Sequence, residues 1–140
     1  MQEKMNKYLP ENLLYLPLGG SGEIGMNCNL YHLDNKWIMV DLGVTFNNGD
    51  SNSYDLIMPD IEFILEQVSK LSALILTHAH EDHIGAVAHI WPDLKCKLYA
   101  TPFTAALITE KFKEKKIDIS SYLEVVPLNS KIKLGNFEID

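Results

Sequence analysis

Four side chains suited to gripping a metal ion, His78, His80, Asp82 and His83, fall within the single stretch HAHEDH. The stretch follows directly on the apolar run ALILT, residues 73–77. In an extended segment, residues two apart face the same side, so His78 and His80 can converge on one ion from a strand's end. Asp82 and His83 come one turn later, at the mouth of the next helix, and can face a second ion beside the first. Imidazole nitrogens with a carboxylate suit zinc, with manganese or iron as weaker alternatives. Glu81 lies between these donors and points away on the same alternation. Two tetrahedral ions want roughly six to eight ligand positions, so this set is expected to be incomplete within the 140 residues. The remaining ligands are expected from beyond residue 140 or from another chain. The other two of the five histidines, His32 and His89, read as ordinary core or surface residues.

The elements that must position this cluster can be read on either side of it. Residues 13–18, LLYLPL, read as a strand, and a glycine-rich loop follows at 19–25. CNLYHL and KWIMVDLG flank the turn pair Asp34-Asn35 and read as a hairpin. Asp41 ends the second of these strands, where a carboxylate is placed to hydrogen-bond a ligand imidazole and fix its tautomer. Residues 44–58 read as a long polar loop. Asp60 is a candidate N-cap for a helix with Ile61, Ile64, Leu65 and Val68 on one face. ALILT has the continuous apolar character of a strand buried on both faces.

After the cluster, Ile84, Val87, Ala88 and Trp91 repeat the helical spacing, and Pro92 is expected to stop it. KLYA is a short strand, Thr101-Pro102 opens a helix reaching to about Lys115, and YLEVV, KIKL and FEID read as strands. Strands dominate the first third and then alternate with helices, which predicts a layered α/β domain with helices on a mixed sheet. Such folds place their ligand sites beyond the carboxyl ends of strands.

The glycine loop admits a rival reading. Gly20-Ser21-Gly22-Glu23-Ile24-Gly25 matches G-x-G-x-x-G after a strand, with Asp41 about 20 residues on, the fingerprint of a Rossmann-type nucleotide-binding domain. Asn27, Asn29 and the Asp34-Asn35 turn favour a hairpin over the helix that reading needs. A tight loop near the metal mouth, with backbone N–H groups free for substrate oxygens, is the alternative purpose of these glycines.

Bulk properties set further bounds. A hydrophobic content of 46% and a charged content of 22% are globular values. A formal net charge of −7 argues against a broad phosphate-binding surface, so a polyanion would have to be held by metal ions or a local site. Lys111, Lys113, Lys115 and Lys116 are interleaved with Glu110 and Glu114 and read as a solvated helix face. Cys28 and Cys96 read as buried thiols without a disulfide. No apolar run approaches a membrane span, and residues 1–12 lack the apolar core of a secretory signal, so a cytoplasmic location with no membrane contact is expected.

The motifs together resemble a known family. THAHEDHIGA is similar to the H-x-H-x-D-H signature of the metallo-β-lactamase superfamily. LGGSGEIGMN, VDLGVTF and MPDIEFILE narrow the resemblance to the ribonuclease J branch, whose members degrade RNA and carry a β-CASP insertion. The resemblance implies the N-terminal half of a metallo-β-lactamase αββα sandwich over residues 13–140, preceded by an extension, residues 1–12. It implies His78 and His80 as ligands of a first zinc, Asp82 and His83 as ligands of a second, and Asp41 as the aspartate that supports the site. For an intact enzyme it implies two-metal hydrolysis of RNA phosphodiesters, with Asp82 orienting the attacking water. The later metal motifs and the β-CASP region are absent from the sequence, and the chain stops inside an alternating strand pattern. The 140 residues are therefore expected to be inactive alone, and either a complementary chain or a homo-oligomer is the expected partner. Other hydrolases of the same fold, and a non-catalytic remnant that pairs through a sheet edge, are the remaining alternatives.

Overall fold

A computed structural model describes residues 12–47 and 55–140. The expected extension thus lies outside the described residues, apart from Asn12. Six strands form one sheet in the order β1-β2-β3-β6-β7-β8. They are β1 (Leu14–Gly19), β2 (Cys28–Leu33), β3 (Lys36–Val40), β6 (Leu71–Leu76), β7 (Lys97–Ala100) and β8 (Leu123–Val125). The pairs β1·β2 and β2·β3 are antiparallel, whereas β3·β6, β6·β7 and β7·β8 are parallel. Antiparallel neighbours need only a tight turn, and Asp34 and Asn35 supply it with φ of 47° and 61°. Parallel neighbours need crossovers, and the helical segments fill them.

The helices are α1 (Glu62–Glu66), α2 (Glu81–Ile84), α3 (Val87–Leu94) and α4 (Pro102–Glu114). Strand alternation divides the sheet's side chains between two faces. Met39, Leu74, Leu76 and Leu98 pack with Ile84, Val87, Trp91, Ile108 and Phe112 of the helices in one large core. Ile38, Ala73, Ile75 and Tyr99 face the other way, under Phe137 of the β9–β10 hairpin (Ile132–Leu134 and Phe137–Ile139). Strands β3 and β6 are therefore covered on both sides, which explains their unbroken apolar runs.

Three expectations about the elements require correction. Pro92 lies inside α3, which runs on to Leu94 and ends at Lys95 with φ of 47°. Buried Trp91 and Leu94 hold the last turn, and the Trp91 indole N–H donates to the Cys96 carbonyl at 2.8 Å. Packing outweighs the one backbone hydrogen bond that proline removes. The helix expected over Ile61–Val68 is only α1 followed by a 3-10 turn at Val68–Lys70, and Leu65 is exposed. Asp60 does accept a hydrogen bond from the Glu62 backbone N–H, at 2.9 Å. The loop expected at 44–58 contains a small hairpin, β4 (Thr45–Asn47) with β5 (Asp55–Ile57), and residues 48–54 lie outside the described ones.

Among the described residues, no helix is long and apolar enough to cross a membrane. Cys28 and Cys96 are both free and buried, and burial pushes each thiol pKa up to about 12. For Cys28 the Asp41 charge adds to the rise.

Candidate metal centre

Two parallel strands deliver the site. Val40 of β3 pairs with Ile75 of β6, so both strands end at the same rim of the sheet. The next residue after β3 is Asp41, and the next two after β6 are Thr77 and His78. The Asp41 backbone N–H still donates to the Ile75 carbonyl at 2.9 Å. Asp41 then turns sharply, with φ of 63°, a conformation that costs a non-glycine residue about 1–2 kcal/mol. The turn leaves its carboxylate buried, at 4% exposure, beside Thr77 and His83.

The segment 41–44 is laced to the cluster through backbone. Leu42 N–H donates to His83 O at 2.8 Å, Val44 N–H to Glu81 O at 3.1 Å, and Ala86 N–H to Leu42 O at 3.0 Å. Gly43 makes this approach possible, because a Cβ there would overlap the Asp82 carbonyl. The two segments, about 40 residues apart in sequence, thus form one backbone-bonded unit.

Around this unit the side chains gather. The His78 ring centre lies 4.0 Å from that of His83 and 4.6 Å from that of His80. Asp82 Oδ2 is 3.4 Å from His83 Nε2. His83 Nδ1 is 2.7 Å from Asp41 Oδ2. A carboxylate only accepts hydrogen bonds, so the proton of neutral His83 sits on Nδ1 and Nε2 is left as an acceptor. Glu81 turns away to Lys111 of α4, at 2.5 Å.

The three rings are together, but among the described residues no three His, Cys, Asp or Glu groups are poised as ligands of a single ion. His83 Nε2 and Asp82 Oδ2 are engaged instead with the Asn27 side-chain amide, each at 3.2 Å. The donor chemistry nevertheless fits zinc: three imidazoles and a carboxylate at one rim, with the inner nitrogen of His83 already committed to a carboxylate. Zinc would draw on His78, His80, Asp82 and His83 here.

Two residues at the site escaped sequence reasoning. Asn27, at the end of the glycine loop, also donates through Nδ2 to the Asp82 carbonyl at 3.1 Å. Thr77 reads in the sequence as one more apolar-strand residue, yet its hydroxyl contacts Asp41 and His78. The signal for both was proximity to the motifs, not residue type. His32 and His89 lie off the site. His32 packs against Trp37 in a tilted arrangement, ring centres 4.7 Å apart, and His89 is exposed on α3. Burial, then the Lys70 charge, lowers the His32 pKa, and burial, then Lys115 and Lys111, lowers that of His89.

The glycine loop has neither of its two expected purposes in full. It joins antiparallel β1 and β2 with no helix following, which excludes the Rossmann arrangement. Gly20, Gly22 and Gly25 adopt φ of 85°, 75° and 109°, as a tight non-helical turn requires. The loop does end at the site, through Asn27. Its backbone N–H groups are in part already used: Gly20 donates to Glu23 Oε1, Met26 to Val44 O and Asn27 to Asp82 O. Ile24 and Phe46, both exposed, line a groove that runs along Ala79 and His80.

Comparison with known proteins matches this architecture. The chain is 43% identical to ribonuclease J of Sinorhizobium meliloti over 134 residues, which are 93% of this chain and 24% of that protein. It is 35% identical to ribonuclease J of Helicobacter pylori (98% of this chain, 20% of that protein). With ribonuclease J 2 of Staphylococcus aureus it shares 34% (98% and 24%). The chain thus spans about a quarter or less of the length of these curated relatives. In three dimensions it resembles the MIM-2 metallo-beta-lactamase, with a TM-score of 0.53 at 22% identity over 91% of this chain and 47% of that one. A flavo di-iron protein from Thermotoga maritima gives a TM-score of 0.60 at 13% identity, covering 94% and 34%. These structural likenesses establish the mixed-sheet fold expected from the sequence. The family model described as the metallo-beta-lactamase superfamily matches residues 22–134, and with most of the chain inside that match, the chain belongs to this superfamily.

Proposed function

We propose that these residues form the metal-gripping N-terminal part of a ribonuclease J-like hydrolase of RNA phosphodiesters. The observation that carries the reading is the His83 Nδ1–Asp41 Oδ2 contact of 2.7 Å beneath a cluster of three histidine rings. It commits one histidine to keeping its proton on Nδ1 and leaving Nε2 unprotonated, the preparation a metal ligand needs. Kinship to three ribonucleases J supports RNA among the substrates that this fold serves.

His78 and His80 would hold one zinc, and Asp82 and His83 a second. Bound zinc would supply positive charge against the phosphate and water that ionises near neutral pH. Asp82 would orient the attacking water, a role supported by its Oδ2 lying 3.4 Å from His83 Nε2. Asn27 keeps Asp82 and His83 together through its amide. The exposed Ile24 and Phe46 give the groove beside His80 an apolar wall against which a nucleobase can stack. Four ligand residues do not complete two zinc sites, so the 140 residues alone bind metal weakly and do not cleave RNA. The remaining ligands would have to be supplied by another chain, a complementary one or a second copy. A reducing, cytoplasmic setting suits two free buried thiols.

The test is a chimera in which residues 1–140 replace the matching quarter of the Sinorhizobium meliloti ribonuclease J. Zinc-dependent cleavage of labelled RNA that is lost in the chimera's His80→Ala form supports the proposal. A folded chimera that binds zinc and leaves RNA intact overturns the RNA assignment. Zinc uptake by the 140-residue chain that is unchanged by a combined His78→Ala, His83→Ala variant overturns the ligand assignment.

A further inference from the structure

We propose that Thr77 is a positioning residue that sets the tautomer of His78, carrying the directing effect of Asp41 to a second histidine. The proposal rests on the metal-binding reading only for its consequence, not for its geometry. Thr77 is bound to Asp41 twice over. Its backbone N–H donates to Oδ1 at 2.8 Å, and its hydroxyl lies 2.8 Å from Oδ2 and 3.0 Å from Oδ1. The same hydroxyl oxygen lies 3.0 Å from His78 Nδ1.

One proton arrangement satisfies all of these contacts. The Asp41 carboxylate can only accept, so the single Thr77 hydroxyl proton points to it. The Thr77 oxygen is then left with lone pairs toward His78. To bond there, the neutral imidazole of His78 must carry its proton on Nδ1. The opposite assignment, hydroxyl proton toward His78, sets a bare hydroxyl oxygen against a carboxylate oxygen at 2.8 Å with no proton between them. His78 therefore leaves Nε2 unprotonated, as His83 does through its direct contact with Asp41. One buried carboxylate thus aligns two histidines, one directly and one through a hydroxyl. Among the described residues His78 has no carboxylate as a hydrogen-bond partner, so the threonine is its link to one.

The prediction concerns the whole 140-residue chain. Nitrogen-15 NMR of the imidazoles, metal-free and at a pH where they are neutral, should show His78 protonated at Nδ1. Thr77→Val and Thr77→Ala keep the backbone N–H bond to Asp41 and remove the hydroxyl. In either variant His78 should shift toward the Nε2–H form while His83 keeps its Nδ1 proton, and Thr77→Ser should restore the wild-type pattern. Zinc affinity, read by competition with a chromogenic chelator, should fall about tenfold or more in Thr77→Val and recover in Thr77→Ser. Far-UV circular dichroism identifies a variant that has lost its fold, and the wild-type spectrum then decides, since an Nε2 proton on wild-type His78 overturns the relay. An Nδ1 proton on His78 that survives both hydroxyl deletions overturns the relay and leaves the metal reading intact. A wild-type chain with the expected tautomers but no zinc uptake overturns the consequence for metal and leaves the relay standing.

Discussion

Replacing Gly43 with alanine tests whether the site is held by backbone lacing. The added Cβ would fall on the Asp82 carbonyl, and a backbone carbonyl cannot rotate aside as a side chain does. The segments 41–44 and 81–86 must separate, which strains or breaks three bonds: Leu42 N–His83 O, Val44 N–Glu81 O and Ala86 N–Leu42 O. At about 0.5–1.5 kcal/mol net for each bond, the loss is about 2–4 kcal/mol. That is a large share of the roughly 5–15 kcal/mol that holds a domain together. Gly22→Ala is the control. A Cβ there meets nothing, but φ of 75° makes alanine unfavourable by about 1 kcal/mol. Urea unfolding followed by circular dichroism should show Gly43→Ala losing about 1–2 M in midpoint and Gly22→Ala about 0.5 M or less, for a slope near 2 kcal/mol/M. If Gly43→Ala unfolds within about 0.5 kcal/mol of Gly22→Ala, the lacing does not carry the site and the reasoning fails.

Burial pushes both thiols up to about 12, so at about pH 8 neither Cys28 nor Cys96 should react with a thiol reagent until denaturant is added. Their linkage to stability lies on the alkaline side. Above about pH 9 the unfolded thiols ionise while the folded ones do not, so stability should fall as pH rises. His32 works in the acid range. Its folded pKa lies below the ordinary 6.5, so the unfolded chain takes up a proton first and stability should drop as pH falls below that value. His32→Gln should flatten that part of a stability–pH curve. Glu81→Ala removes the Lys111 pair, but the Glu81 side chain is 52% exposed, so the loss should be under about 1 kcal/mol by thermal unfolding. Zinc affinity should be unchanged in that variant, since Glu81 points away from the cluster.

The fold was largely legible because its elements carry strong local signals. The Asp34-Asn35 turn, the double-sided burial of β6 and the Thr101-Pro102 helix start each follow from residue types within a few positions. The misread elements are those where packing decided. Trp91 and Leu94 carry α3 through Pro92, an interaction with distant core residues that no local window contains. The place of His78, His80, Asp82 and His83 just after a strand was legible, and Glu81 does turn away, toward Lys111 of α4, although it lies in α2 and not in an extended segment. The contacts that organise these residues did not. Asn27 meets Asp82 and His83 across 55 and 56 residues of chain, and Thr77 meets Asp41 across 36. Such pairings are set by strand order, and the β3·β6 neighbourhood depends on a crossover whose handedness and length the motif does not encode.

The parallel pairing of β3 with β6 has a consequence for how readily this chemistry could be transplanted. A peptide copying residues 75–85 would carry every donor nitrogen and oxygen, yet nothing would decide which nitrogen of each ring keeps its hydrogen. For His83 that decision is made by a buried anion at the end of the neighbouring strand, and the contact exists only where the two strands lie side by side. The alignment of these rings is in this sense a property of the assembled sheet, present only where β3 and β6 are paired.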